Sequence, residues 1–413
     1  AIAILLLGIA SRGQNASRDG RMISMSDTMT QRERVVKALN HEEADRVPID
    51  FGAMRSTGIS LAGYMRLREK LGITSGKVKL YDVWQWLAEP EISVLEKLHA
   101  DVVQLHRYEP SFGFNINTWD DWRTPDGFDV LVPNGFNPAL LPDGSRVIMD
   151  GDITIARMPK DGHWFDLASF PLANAKTYDD IDNYPWPEIG NEEVEFLQKE
   201  AQRLYEETDY AILGSFGGSI YEQGQFDFGY EGFPILLASN RDLATYYLDK
   251  VANNRIKQLK KWLPRVKDYV QVIQVADDLG MQTGPQISPK MYRELIKPYH
   301  ARVCQYIKEN SDLPIFLHSC GSIYAFIPDL IEIGVDIINP VQYRATAMEP
   351  RRLKREFGRH LTFWGGGCDT QQVLTRGTIA DIQRETEEMV SIFAPGGGFV
   401  FTTVHNVQRD VSP

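Results

Sequence analysis

His318 and Cys320 lie two residues apart at the end of an apolar run, PIFLHSCG (residues 314–321), and Cys368 follows a second such run in LTFWGGGCDTQ (residues 361–371). With Cys304 they are the chain's three cysteines. An imidazole and two thiolates meeting at one point form a borderline-soft donor set suited to Zn2+, with Zn–S about 2.3 Å and Zn–N about 2.0 Å. Three protein ligands leave a fourth position open, the arrangement of a catalytic ion. At an extended strand end, residues two apart face the same side, as His318 and Cys320 would need to. Plain packing is the competing explanation, since cysteine is among the most buried residue types and a strand-end histidine is often only hydrogen-bonded. Cys304, inside the helical pattern HARVCQYIKEN, reads as core.

Carboxylates and further polar groups end other apolar runs. Asp277 and Asp278 are adjacent, so in an extended strand they point to opposite sides and one at most faces a pocket. Such a group is a general acid, base or ligand, or else an N-cap or loop hydrogen-bond acceptor. The catalytic candidates are Asp278, Glu222 beyond YAILGSFG, and His405 after FVFTTV. The substrate-binding candidates are Asp50, Arg55, Tyr221, Asp277, Gln342, Trp364 and Asp369. Arg55 could grip a carboxylate or phosphate with both arms of its guanidinium. Tyr221 and Trp364 could line a pocket for a flat ligand, although aromatics of this kind also build cores.

The elements that must position these groups are short and regular. Apolar runs at residues 47–52, 101–106, 210–217, 270–278, 314–320, 335–341, 361–367 and 399–404 alternate mostly with helical patterns. Continuous apolar strands joined by helical crossovers point to buried parallel pairing, and eight of them to a (β/α)8 (TIM) barrel. In that fold the carboxyl ends of the strands carry the active site, and these are the places where the candidates fall. No GxGxxG or GxxxxGK[ST] segment supports a nucleotide-binding sheet instead. Turn signals such as PDG, PNG and PDGS predict a β-hairpin insertion at about residues 107–185, after the second strand. A helical pattern is expected around Trp84 and Trp86, and Thr30 with Glu33 forms a capping-box pattern at the first helix. Residues 30–413 are thus expected to be one barrel domain. Residues 1–29 begin with AIAILLLGIA, too short to span a bilayer and without a basic flank, and read as a disordered or leader-like extension.

A net charge of −12 leaves no basic field for nucleic acid, and a hydrophobic fraction of 43% supports a sizeable core with no membrane role. Three cysteines provide no disulfide framework, which fits a cytoplasmic location.

The segments RERVVKALNHEEADRVPIDFG, ADDLGMQTGPQISPKMYRELIKPYH, FLHSCGSIYAFIPDLIEIGVDIINPVQ, TFWGGGCDTQQVL and APGGGFVFTTVHNVQRDVSP together resemble the uroporphyrinogen decarboxylase superfamily, on its corrinoid-dependent methyltransferase branch. The resemblance runs from about Thr30 onward. It implies a (β/α)8 barrel in one-carbon metabolism, with zinc held by an HxC pair and a later cysteine. It also implies a thiol or other small acceptor that exchanges a methyl group with a methylcorrinoid carried by a separate corrinoid protein. His318 and Cys320 match the HxC pair. Relatives place the later cysteine in a segment like APGCG, which here is APGGG, so the resemblance leaves Cys368 as the expected third ligand. Uroporphyrinogen decarboxylases carry an arginine-bearing segment like MRQAGRY, of which MRSTG with Arg55 remains. A metal-free decarboxylase using Asp50, Arg55 and Asp278, and a non-catalytic tetrapyrrole- or corrinoid-binding barrel, are the alternatives. A homodimer is one assembly left open.

Overall fold

The structure, a computed structural model, describes residues 28–412. The extension expected at residues 1–29 lies outside them as far as residue 27. Thr28 and Met29 already belong to the fold, because both backbone N–H groups donate to Asp45 (3.0 and 3.2 Å). The Gln31–Leu39 helix opens with both arms of the capping box predicted from Thr30 and Glu33. It carries a buried arginine, Arg34, toward the base of the sheet.

Among the described residues sixteen strands follow in chain order. The first group is β1 (Ile59–Ser60), β2 (Val78–Asp82), β3 (Leu87–Ala88), β4 (Val102–Leu105), β5 (Trp119–Arg123) and β6 (Asp129–Pro133). The second is β7 (Ala139–Leu140), β8 (Arg146–Asp150), β9 (Ile153–Met158), β10 (Asp166–Leu167) and β11 (Ala211–Gly217). The last is β12 (Val272–Ala276), β13 (Ile315–His318), β14 (Ile337–Asn339), β15 (Thr362–Trp364) and β16 (Phe399–Val400).

Seven of these form one curled parallel sheet in the order β16-β15-β14-β13-β12-β11-β4. All seven come from apolar runs identified in the sequence. One row of their side chains, including Val102, Leu213, Val272, Phe316, Ile337, Trp364 and Val400, packs into its own core cluster. The alternate row, including Ile212, Ile273, Ile315, Ile338 and Phe363, joins the larger core with the helices. Burial on both faces is why these strands read as unbroken apolar runs. The remaining run, residues 47–52, hydrogen-bonds to both edges of the sheet. Asp50 N–H donates to Phe401 O (2.8 Å), Phe401 N–H to Pro48 O (2.8 Å), and Asp101 N–H to Ile49 O (2.7 Å).

The intervening antiparallel part differs in its bounds from the expectation. The expected hairpins were confined to residues after 107, whereas a sheet of order β1-β3-β2-β6-β5 joins strands from before and after β4, with β2 and β6 parallel. A second sheet runs β10-β9-β8-β7. The helix expected around Trp84 and Trp86 is a turn between β2 and β3. The buried Asp82 carboxylate accepts from Trp84 N–H (2.9 Å) and Gln85 N–H (2.8 Å), offering the backbone local partners in place of helical ones. Among the described residues no helix is long and apolar enough to cross a membrane.

Candidate metal centre

β13 delivers His318 at its carboxyl end, and the following loop is clamped from both sides. Cys320 N–H donates to Asp278 Oδ1 (2.7 Å) beyond β12, and Gly321 N–H to Gln342 Oε1 (2.8 Å) beyond β14. Gly321 has φ +80°, and a Cβ there would stand 2.6 Å from the Gly280 carbonyl carbon, so only glycine lets the two loops touch. His405 arrives from the segment after β16. Its ring centroid lies 6.0 Å from that of His318.

Ligand atoms of His318, Cys320 and His405 lie within 4.8 Å of one another, the one such group of metal-competent side chains among the described residues. His318 Nε2 is 3.4 Å from Cys320 Sγ. Tetrahedral bonds of the usual zinc lengths would separate an N and an S donor by about 3.5 Å. Burial, followed by the nearby His318, pushes the His405 pKa down to about 4, so its ring is a neutral donor at physiological pH. Burial, Asp278 and Glu222 push the Cys320 thiol up, and a divalent cation is what reverses that balance. The donor set therefore fits Zn2+.

Glu222 sits in the first turn of the Tyr221–Phe228 helix, within the electrostatic reach of the centre. Burial first, then repulsion by Asp278 and Asp277, raises its pKa well above the usual carboxylate range, with Arg55 opposing. Asp278 Oδ1 stands 3.8 Å from His318 Nε2. The three catalytic candidates, Asp278, Glu222 and His405, thus fall in one region.

Cys368 is not in the group. Gly365 and Gly366 (φ +112° and +78°) turn the chain, and Val404 N–H donates to Cys368 O (2.9 Å), fixing the cysteine backbone against the segment after β16. The Cys368 thiol is buried 3.6 Å from Glu385 on the Ile379–Phe393 helix. Burial and Glu385 push its pKa up, which suits a packed thiol. Cys368, expected as the third ligand, lies outside this group, and His405 stands in the third place.

The substrate-binding candidates mostly turn inward. Asp277 accepts from the N–H groups of Ile220 (3.0 Å), Tyr221 (2.8 Å) and Glu222 (2.6 Å) and lies 2.6 Å from His300 Nε2. It secures the start of the helix that presents Glu222, and is not free to bind a ligand. Tyr221 is fully buried against Phe233. Trp364 fills the sheet interior beside Phe316 and donates through Nε1 to the buried Asp50 (2.8 Å). Asp369 accepts from Gln372 N–H (2.9 Å) and pairs with Arg344 (2.9 Å). Gln342 holds Gly321 and Gln282. Arg55 is ion-paired to Asp82, with its guanidinium 5.1 Å from the Trp84 ring centroid, and stays partly exposed. Side-chain partners within the fold claimed these groups, a competition that spacing along a chain does not display. Asn339 was missed altogether, although its Oδ1 lies 2.6 Å from His318 Nδ1. A polar residue closing the apolar run VDIIN was the signal available.

Asp50 carries a pH prediction. Burial raises its pKa to about 6, against about 3.9 for an unfolded aspartate. The folded state binds this proton more tightly, so the contribution is fully present below about pH 4 and is lost as pH rises through 6. It amounts to about 3 kcal/mol. In urea titrations from pH 4 to 8, the wild type should lose stability relative to Asp50→Asn as pH rises. A parallel pair of curves would refute the assignment.

A curled parallel α/β sheet with histidine and cysteine gathered at the carboxyl ends of its strands defines the class of this protein. Residues 171–413, more than half the chain, match the family model described as uroporphyrinogen decarboxylase (URO-D). The chain belongs to that family. A uroporphyrinogen decarboxylase from Schizosaccharomyces pombe is 26% identical over 150 residues, which are 35% of this chain and 39% of the relative. The match thus spans about two-fifths of that curated relative's length. A methyltransferase from Methanosarcina mazei superposes with TM-score 0.53 and 16% identity over 93% of this chain and 95% of its own, a likeness of fold.

Proposed function

We propose that the chain is a zinc-dependent methyltransferase that moves a methyl group between a corrinoid protein and a thiol or other small acceptor. The observation that carries this is the convergence of His318, Cys320 and His405 within 4.8 Å. Zinc bound there would supply Lewis acidity that favours the thiolate form of an acceptor. Burial and repulsion by Asp278 and Asp277 raise the Glu222 pKa, which makes its carboxylate a stronger acceptor for the proton of an incoming thiol. In the transfer a new C–S bond forms as the Co–C bond breaks, with the electron pair of that bond remaining on cobalt. We read residues 48–50 as the eighth strand that closes a (β/α)8 barrel, whose mouth faces the corrinoid carrier. A cytoplasmic setting accords with the free thiols.

The decarboxylase alternative draws on the S. pombe relative. Against it, Asp50 is buried and Arg55 is engaged by Asp82, so two of its three proposed residues are committed elsewhere. The test is loss of the methylcob(III)alamin absorbance on adding zinc-loaded protein and a panel of small thiols. Zinc-dependent demethylation that is absent in Cys320→Ala is expected. Release of CO2 from a carboxylated tetrapyrrole by metal-stripped protein, without demethylation, would sink the proposal.

A further inference from the structure

A histidine can ligate a metal through Nε2 only if its proton sits on Nδ1, and something must hold it there. The hydrogen bonds around Asn339 decide this for His318. Asn339 closes β14 directly beside His318, its register partner on β13. Its amide nitrogen lies 2.7 Å from the Trp364 carbonyl oxygen. A carbonyl only accepts, so the NH2 end of the amide must face Trp364 and Oδ1 must face the other way. That oxygen receives the Ser56 hydroxyl (3.1 Å) and stands 2.6 Å from His318 Nδ1. Oδ1 has no proton to give, and therefore Nδ1 must donate.

We infer that Asn339 is a positioning residue that holds His318 in the Nδ1–H tautomer and so turns the Nε2 lone pair toward Cys320. The orientation is supported from beneath. Trp364 is itself held by its Nε1 bond to Asp50 (2.8 Å), so Asp50, Trp364 and Asn339 form a buried relay of supports ending at the imidazole. Two residues expected to touch substrate thus act at a distance, through the ring they keep in place. All three are buried. The inference rests on the metal proposal for its purpose, and the tautomer readout tests it independently of zinc.

The test uses the full chain with its histidines 15N-labelled, in metal-free form. The wild-type His318 ring should show the 15N shifts of an Nδ1-protonated imidazole. Asn339→Leu, similar in size and without an acceptor, should shift the ring toward the Nε2-protonated form and weaken zinc binding by about 10–100-fold in a chelator competition. Asn339→Asp restores an acceptor and should keep both the tautomer and the affinity within about threefold of wild type. A merely structural role would not sort the two variants in this order. A wild-type ring protonated on Nε2, or Asn339→Leu binding zinc as tightly as wild type, would overturn the inference, and the first of these needs no variant to fold. A wild type that bound no zinc yet kept an Asn339-dependent tautomer would sink the metal proposal and leave this one standing.

Discussion

Replacing His405 with alanine should abolish zinc binding at the proposed metal centre, while replacing Cys368 with alanine should leave that binding intact. His405 supplies one of three ligand atoms gathered within 4.8 Å. Removing one of three protein ligands should cost more than the 10–100-fold typical of an outer partner, so a loss of roughly 100-fold or more in zinc affinity is expected. Cys320→Ala and His318→Ala should behave alike. Cys368 instead faces Glu385 and is wholly buried. Its truncation removes a packed sulfur, with an expected cost of about 1 kcal/mol in urea denaturation and no change in metal content. Metal analysis of the four variants, purified with zinc and dialysed together, separates the alternatives. Zinc lost from Cys368→Ala and retained by His405→Ala would reverse the assignment and restore the ligand set expected from the HxC resemblance.

A second large effect should follow from Asp101→Ala, at the opposite end of the strands. Asp101 is fully buried and receives Arg34 (2.6 Å), Arg46 through two nitrogens (2.7 and 2.9 Å) and the Ile49 N–H (2.7 Å). One carboxylate thereby ties the first helix, the segment at residues 47–50 and β4 into one joint. Forming such an ion cluster costs much of its Coulomb energy in desolvation, so its presence says little about net stability. Removing the carboxylate is different, because two guanidiniums stay buried without this counter-charge. The expected loss is about 3–5 kcal/mol, read as a fall in the urea unfolding free energy at unchanged slope. A loss under about 1 kcal/mol would mean that the arginines relax to other partners and that Asp101 is not the joint.

How far the sequence reached differs from residue to residue. His318 and Cys320 were legible because a strand end is a local feature and residues two apart on it share a side. Asp278 and Glu222 were legible as strand-end carboxylates, and they do neighbour the centre. Asp277 was not, because its capping of the Tyr221–Phe228 helix joins residues 55 to 57 positions apart. The Trp84–Trp86 turn was hidden for a related reason, since the Asp82 carboxylate competes for backbone that hydrophobic spacing assigns to a helix.

The pattern of apolar runs was enough by itself to establish an α/β sheet of parallel strands and to put His318 and Cys320 at the carboxyl end of one of them. Hydrophobic burial on two faces and the alternation of strand side chains are properties of short stretches, and they survive in the order of residues. Tertiary structure decided which third side chain stands beside His318 and Cys320, which group faces His318 Nδ1, and that Asp50 and Trp364 bond to each other inside the fold. Each of these depends on which side chain, from a distant part of the chain, comes within hydrogen-bonding distance first. Cys368 and His405 are both strand-end residues of the right type. Only the glycine turn before one and the return of the chain after β16 place His405 beside His318 and bury Cys368 against Glu385.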